Sequence, residues 1–183
     1  MKKLNKEQQL ELFNEVDAPQ KVLNYVKKGN FLYREAQLKM LDLPNVVELV
    51  RLYVQNYSLC EEAQLKLFEI TSAKEVFKVC IHRCLLCEKA ELRMFEVKDA
   101  EYFVKMYIQD YSYRLCDKAQ VKLFDLHNFV EIINEYIKKY PLSDEAEVKL
   151  LDYTEANDVC RIYCQKYYFG YKAQKKLYEM KMG

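Results

Sequence analysis

One six-residue phrase returns down this chain at an almost constant interval, and that interval constrains the fold more than anything else in the sequence. It reads Ala-Gln-Leu-Lys-Met-Leu at Ala36, Ala-Gln-Leu-Lys-Leu-Phe at Ala63 and Ala-Glu-Leu-Arg-Met-Phe at Ala90. It returns as Ala-Gln-Val-Lys-Leu-Phe at Ala119, Ala-Glu-Val-Lys-Leu-Leu at Ala146 and Ala-Gln-Lys-Lys-Leu-Tyr at Ala173. The steps are 27, 27, 29, 27 and 27 residues, and a degenerate copy stands 28 residues before the first, at Gln8. A period between about 20 and 50 residues marks units that cannot bury an apolar face alone and must stack on one another.

With the recurrent Ala as position 0, positions 0, +4 and +7 are apolar (Ala63, Leu67, Ile70; Ala119, Leu123, Leu126) and form one helical stripe. Positions +2 and +5 are mostly apolar too, so this first helix is enclosed on more than one side. A basic column at +3 (Lys39, Lys66, Arg93, Lys122, Lys149, Lys176) and an acidic one at +6 (Asp42, Glu69, Glu96, Asp125, Asp152, Glu179) fill its exposed strip. Position +9 holds Asp17, Asn45, Ser72, Asp99, Asn128 and Glu155, mostly strong N-cap residues, so a second helix starts there. Glu48, Glu75, Glu131 and Asp158 at +12 complete a capping-box pattern. The second helix carries an apolar stripe at +10, +14, +17, +18 and +21, with Tyr recurring at +17 and +21, where hydroxyls are expected at the edge of the stack.

The expected fold is therefore all-α: about six 27-residue helix-turn-helix repeats plus a C-terminal capping helix, thirteen helices of about ten and thirteen residues in alternation. The repeats run approximately over 5–33, 34–60, 61–87, 88–116, 117–143 and 144–170, with the cap at 171–183, in a single helical-repeat domain. Three Gly and three Pro leave little turn chemistry for hairpins of strands. Polar residues in core columns, Gln8 and Lys175, are expected at the two ends, and extra residues near Phe31–Arg34 and Ser112–Arg114 mark one tolerant edge. At the level of stacked helical hairpins the chain resembles the α-solenoid class of HEAT, armadillo and tetratricopeptide repeats. That resemblance implies a curved surface for a protein or peptide partner.

Composition narrows the function further. Twenty-nine basic against 28 acidic residues give a net charge of +1 and no global field for nucleic acid or anionic lipid. No apolar run approaches the roughly 18 residues a membrane span needs. Seven irregularly spaced cysteines suit a reducing, cytoplasmic setting better than a disulfide framework. Cys80, His82, Cys84 and Cys87 tempt as metal ligands, but Cys80 and Cys84 fall in core columns and His82 about 160–200° round the helix from them, so no metal is expected. Cys60, Cys87 and Cys116 share the −3 column with Ser143, the N-cap of the first helix, where a thiol could ionise more readily. Cys160 and Cys164 are expected in the core. With two distant histidines and no phosphate-cradling loop, neither an enzyme nor a cofactor is expected.

The face left for recognition is the outside of the second helix. Arg51, Lys78, Lys105 and Arg161 recur there at +15, beside Gln55, His82 and Gln109 at +19, and Tyr102 breaks the acidic rule at +12. Arg51, Lys78, Tyr102, Lys105 and Arg161 are the candidate partner-binding residues of a non-enzymatic, monomeric interaction or scaffold module. Nucleic acid tracking the +3 column and a purely structural role are the alternatives.

Overall fold

In the computed structural model, residues 3–110, 113–153 and 157–182 are described, and among them the chain is all-helical without a strand. Thirteen α-helices alternate along the described residues. The helices that carry the recurring sequence phrase, the first helices of the expected repeats, are α1 (Lys6–Leu12), α3 (Arg34–Met40), α5 (Glu61–Lys66), α7 (Glu88–Met94), α9 (Asp117–Lys122), α11 (Asp144–Leu150) and α13 (Tyr171–Met182). The second helices are α2 (Ala18–Lys27), α4 (Val46–Tyr53), α6 (Ala73–Ile81), α8 (Ala100–Asp110), α10 (Phe129–Ile137) and α12 (Asn157–Lys166).

The chain divides into two compact units, Met1–Arg93 and Met94–Gly183. In the first unit α1 packs on α3 and α3 on α5, while α2 packs on α4 and α4 on α6. In the second, α9 packs on α11 and α11 on α13, and α8 on α10 and α10 on α12. Within each unit, first helices meet first helices and second helices meet second.

The helices are shorter than the periodicity predicts, six or seven residues for α1 to α11 of the first set and eight to eleven for the second. The phrase itself ends the first helix. After position +4 the backbone tightens into i→i−3 bonds: Asp42 N to Lys39 O at 3.1 Å, Leu43 N to Met40 O at 3.3 Å, Val46 N to Leu43 O at 3.1 Å. Such 3-10-like bonding turns the chain within a few residues. Position +7 thus lies in the turn and not on the helix, yet Leu43 and Ile70 still pack on the core and Leu126 is buried.

Position 0 is fully buried at Ala36, Ala63, Ala90, Ala119, Ala146 and Ala173, and so is +4 at Met40, Leu67, Met94, Leu123 and Leu150. Position +14 closes the core from the second helix through Val22, Val50, Phe77, Val104 and Ile133.

Asp17, Asn45, Ser72 and Asn128 do stand at the N-caps of the second helices, but none caps with its side chain. Asn45 has φ −99° and ψ 27°, because the helix springs from a tight turn, whereas a side-chain cap needs extended backbone. The expected capping boxes are therefore not formed at these helices. Glu48 pairs with Lys27 at 3.2 Å and Glu131 with Lys105 at 2.9 Å. The +9 asparagines tie neighbouring repeats instead: Asn45 Nδ2 donates to Pro19 O at 3.1 Å, and Asn128 donates through N and Nδ2 to the Glu101 carboxylate. Those bonds hold the Glu101 carboxyl below its ordinary value. Glu155 and Ser112 lie outside the described residues. Side-chain caps occur on first helices, as a capping box of Asn5 with Gln8 and a bond from Ala146 N to the Ser143 hydroxyl.

Gly29 ends α2 with φ +70°, and a Cβ there would meet nothing within 4 Å. Gly29→Ala therefore strains only the backbone and should cost about 1 kcal/mol, with Gly29→Asn costing less, measured by urea unfolding.

Candidate partner-binding face

The first helices spend their polar groups on one another. The +3 cation of one repeat reaches back to the preceding repeat, where it meets both the +6 carboxylate and the +2 carbonyl. Lys66 donates to Asp42 at 2.7 Å and Leu38 O at 3.0 Å, and Lys149 to Asp125 at 2.7 Å and Val121 O at 3.2 Å. Lys176 does the same with Asp152 and Val148 O, and Arg93 lies 3.2 Å from Glu69. A second row of ion pairs runs along the helix starts: Lys6 to Glu35 and Arg34 to Glu62, both at 2.7 Å, then with the signs exchanged Lys89 to Glu61 at 2.6 Å. Lys6 accordingly holds the Glu35 carboxyl below its ordinary value. Partly covered pairs such as Lys149 with Asp125 stabilise by about 0.2–1 kcal/mol. A double-mutant cycle on Lys149 and Asp125 should return a coupling in that range, shrinking at high salt.

Beneath them runs a polar column that periodicity treats as surface. Position +1 is buried at Gln9, Gln37, Gln64, Glu91, Gln120 and Glu147. The Gln37 amide donates to Leu32 O at 2.9 Å, just before its own helix, and to the Tyr53 hydroxyl at 3.1 Å. Its carbonyl accepts Cys60 N–H, at the start of the next first helix, at 2.8 Å. Gln9 repeats this with Leu4 O, Tyr25 and Tyr33 N and adds a bond to Phe31 O at 2.9 Å, and Gln64 donates to Leu59 O and accepts from Cys87 N at 2.7 Å. In the second unit Gln120 donates to Leu115 O and accepts from Ser143 N at 2.6 Å. Each such amide clasps two successive loops between repeats. The loop at Phe31–Arg34, expected as a merely tolerant edge, is pinned by Gln9.

The clasp also redirects the tyrosines. The +17 residues Tyr25, Tyr53, Tyr107, Tyr136 and Tyr163 are buried, and the hydroxyls of Tyr25, Tyr53 and Tyr163 turn inward to the +1 side chain, not outward to the edge. Burial pushes the Tyr53 and Tyr163 phenols well above their ordinary value. At +21, Tyr57 does reach the edge, where it donates to Gly29 O at 2.9 Å.

The cysteines follow the columns, with one correction. Cys80 and Cys84 are buried and His82 is exposed, so the three do not converge. Cys60 and Cys116 stand at N-caps without a side-chain cap bond, and burial pushes the Cys60 thiol up. Cys164 is exposed, contrary to the core placement expected for it, and Cys160 is half-buried. Position +18 is buried at Val26, Val54, Ile108 and Ile137, in or at the end of second helices that pack on a following one, whereas α12 is the last second helix among the described residues. The cap residues Gln8 and Lys175 are exposed, but α13 also exposes Tyr171, Tyr178 and Met180.

On the second helices, Arg51 and Lys78 come together. They line a cleft of about 330 Å³ between α4 and α6 with His82 and Arg83, over Val54, Gln55 and Val79. Arg51, Lys78, His82 and Arg83 are all exposed, and no carboxylate lines the cleft. In the second unit Lys105 is half-buried and engaged by Glu131, Tyr102 is part-exposed with its ring edge-on to Phe103, and Arg161 pairs with Asp158 at 3.4 Å. Arg161 lines a separate, largely apolar cleft with Cys160, Cys164, Phe169, Leu177 and Met180. Arg83, in the turn beyond α6, belongs to no helical column and escaped the periodicity for that reason.

No family model, curated protein or solved structure matches the chain. Among the described residues no three His, Cys, Asp or Glu side chains gather as a metal cluster, and no helix is long and apolar enough to cross a membrane.

Proposed function

We propose that this chain is a non-enzymatic protein-interaction module, an α-solenoid of about six helical hairpins and a final helix that binds a partner protein or peptide on its second helices. One contrast carries the reading. Lys66, Lys149 and Lys176 on the first helices are each held by a carboxylate of the preceding repeat, while Arg51, Lys78 and Arg83 stand exposed around a cleft whose described lining holds no acid. A stack whose internal bonds hold loops at Tyr33, Cys60, Cys87, Ser143 and Gly170 presents such groups at little ordering cost. Nucleic acid along the +3 column is the weaker reading, because Lys66, Lys149 and Lys176 each already hold a carboxylate and a carbonyl. Seven free thiols fit a reducing, cytoplasmic setting, and a monomer is the simplest state for a recognition module of this kind.

The test is affinity capture from the native host with two variants, Arg51→Glu with Lys78→Glu and Tyr102→Ala with Lys105→Ala. Retained helicity with loss of one partner in at least one variant supports the reading. Capture unchanged by both, or none by the unaltered protein, overturns it.

A further inference from the structure

We propose that the cleft between the C-terminal turns of α4 and α6 recognises an acidic segment of a partner protein. Its carboxylates would meet Arg51, Lys78 and Arg83, and an aliphatic side chain between them would rest on Val54 and Val79. This names the ligand of the partner-binding reading above and rests on it.

Charge decides the class of ligand. Arg51 and Lys78 sit in the last turns of their helices, where a cation complements the end of the helix dipole. Each helix end carries about half a negative charge, so two ends offset about one cation. Three permanent cations line the cleft, and a surplus of about two remains, with the His82 ring as a further polar group. The acids nearby do not cancel it. Glu48 is held by Lys27 at 3.2 Å, and Glu75, one turn before Lys78, lies outside the lining. Elsewhere in this unit Lys6, Arg34, Lys66, Lys89 and Arg93 each have a carboxylate within 3.2 Å. Those five cations are neutralised where they stand, whereas the three in the cleft are gathered without a paired carboxylate.

Shape and chemistry favour a peptide. About 330 Å³ is at the small end of ligand pockets, suited to a few side chains. The floor is aliphatic, and the Gln55 amide offers a donor and an acceptor to an extended backbone. Two guanidinium forks match carboxylates in bidentate fashion. A single-stranded nucleic acid would want aromatic platforms for its bases, and no aromatic residue lines the cleft.

The experiment titrates a fluorescein-labelled peptide of alternating glutamate and leucine into the full chain and follows anisotropy, with a glutamine-for-glutamate peptide and an oligouridylate as comparators. Saturable binding of the acidic peptide alone is expected at low salt, lost at about 1 M, where the Debye length is about 3 Å. Arg51→Glu with Lys78→Glu should weaken it at least ~tenfold, while the charge-matched pair Lys175→Glu with Lys181→Glu on α13 should leave it within ~twofold. All four side chains are exposed, and circular dichroism checks that helicity is kept. Equal loss in both pairs, tighter binding of oligouridylate, or no peptide binding at low salt overturns the proposal. If the peptide fails while partner capture still depends on Arg51 and Lys78, only the ligand class is wrong; if capture depends on Tyr102 and Lys105 alone, the cleft is not the site and the proposal falls. If capture fails as well, the partner-binding reading fails with it.

Discussion

Gln37→Leu should destabilise the first unit by about 2–4 kcal/mol, although leucine is apolar, similar in size and enters a buried site. Apolar transfer alone argues the other way, since a leucine buried in place of an amide gains hydrophobic free energy. Hydrogen bonding decides the sign. Gln37 is 2 % exposed, and its carbonyl is what the Cys60 N–H donates to, at 2.8 Å. An orphaned buried donor costs about 1–3 kcal/mol. Leu32 O loses the Gln37 amide at 2.9 Å and keeps only the Tyr53 hydroxyl at 3.3 Å, which adds about 1 kcal/mol more. Gln37→Glu keeps the acceptor for Cys60 but sets a carboxylate oxygen against Leu32 O, so it should be no milder. Gln174→Leu, on the exposed surface of α13, should change stability by less than about 0.5 kcal/mol. Urea unfolding of the three variants checks this; an unchanged midpoint for Gln37→Leu would mean the buried amides do not hold the loops.

Nature's own variant of the column shows why the partner tyrosine matters. At Glu147 the Tyr163 hydroxyl donates to the carboxylate at 2.6 Å and accepts from Leu142 N, while Gly170 N takes the second oxygen. The hydroxyl reverses its role so that no two acceptors face each other. Tyr53 cannot follow without giving up Leu32 O.

How far the sequence reached depended on whether a property lies within one helix or between two. Burial of the alanine and +4 columns, and the alternation of first and second helices, follow from periodicity inside each segment. The place of each N-cap was equally legible at Asn45 and Asn128. What the cap side chain does was not, because it depends on the ψ angle with which the chain leaves the turn. The charged columns were visible as Lys66 and Asp42, but periodicity within one helix does not say which cation meets which acid. The pairing joins residues 24 apart, since only stacking brings position +3 beside the preceding +6. The glutamine column carried a signal that went unused. A residue 100° from the alanine stripe, flanked on the wheel by apolar +4 at about 40° and +5 at about 140°, is enclosed whatever its polarity. Of the candidate site, Arg51 and Lys78 could be named from their column, but their meeting with Arg83 depends on the turn beyond α6. Cys164 was misplaced because a column predicts burial only where a neighbour exists to cover it.

The alanine that opens each phrase sets the spacing of the stack, and Ala119→Leu tests that directly. Ala119 and Ala146 are fully buried on α9 and α11, which pack on each other. Helices approach closely only where the residue between them is small, within an interaxial range of about 8–10 Å. Three extra carbons in a site with no free surface cost about 1–3 kcal/mol in strain. The strain cannot be relieved by moving the helices apart. Separation would draw Ser143 N from Gln120, now 2.6 Å away, and Lys149 from Asp125, now 2.7 Å away. Losing the buried bond adds about 1 kcal/mol, so a total of about 2–4 kcal/mol is expected for the second unit. Val121→Leu, two residues on and only half-buried, should cost less than about 1 kcal/mol. A neutral Ala119→Leu would show that the helices have slack, and that position 0 is alanine for helix propensity alone. The two effects separate further with Ala119→Ser, which lowers propensity by only about 0.5 kcal/mol and adds little bulk, so it should lie close to the unaltered protein if spacing is what counts.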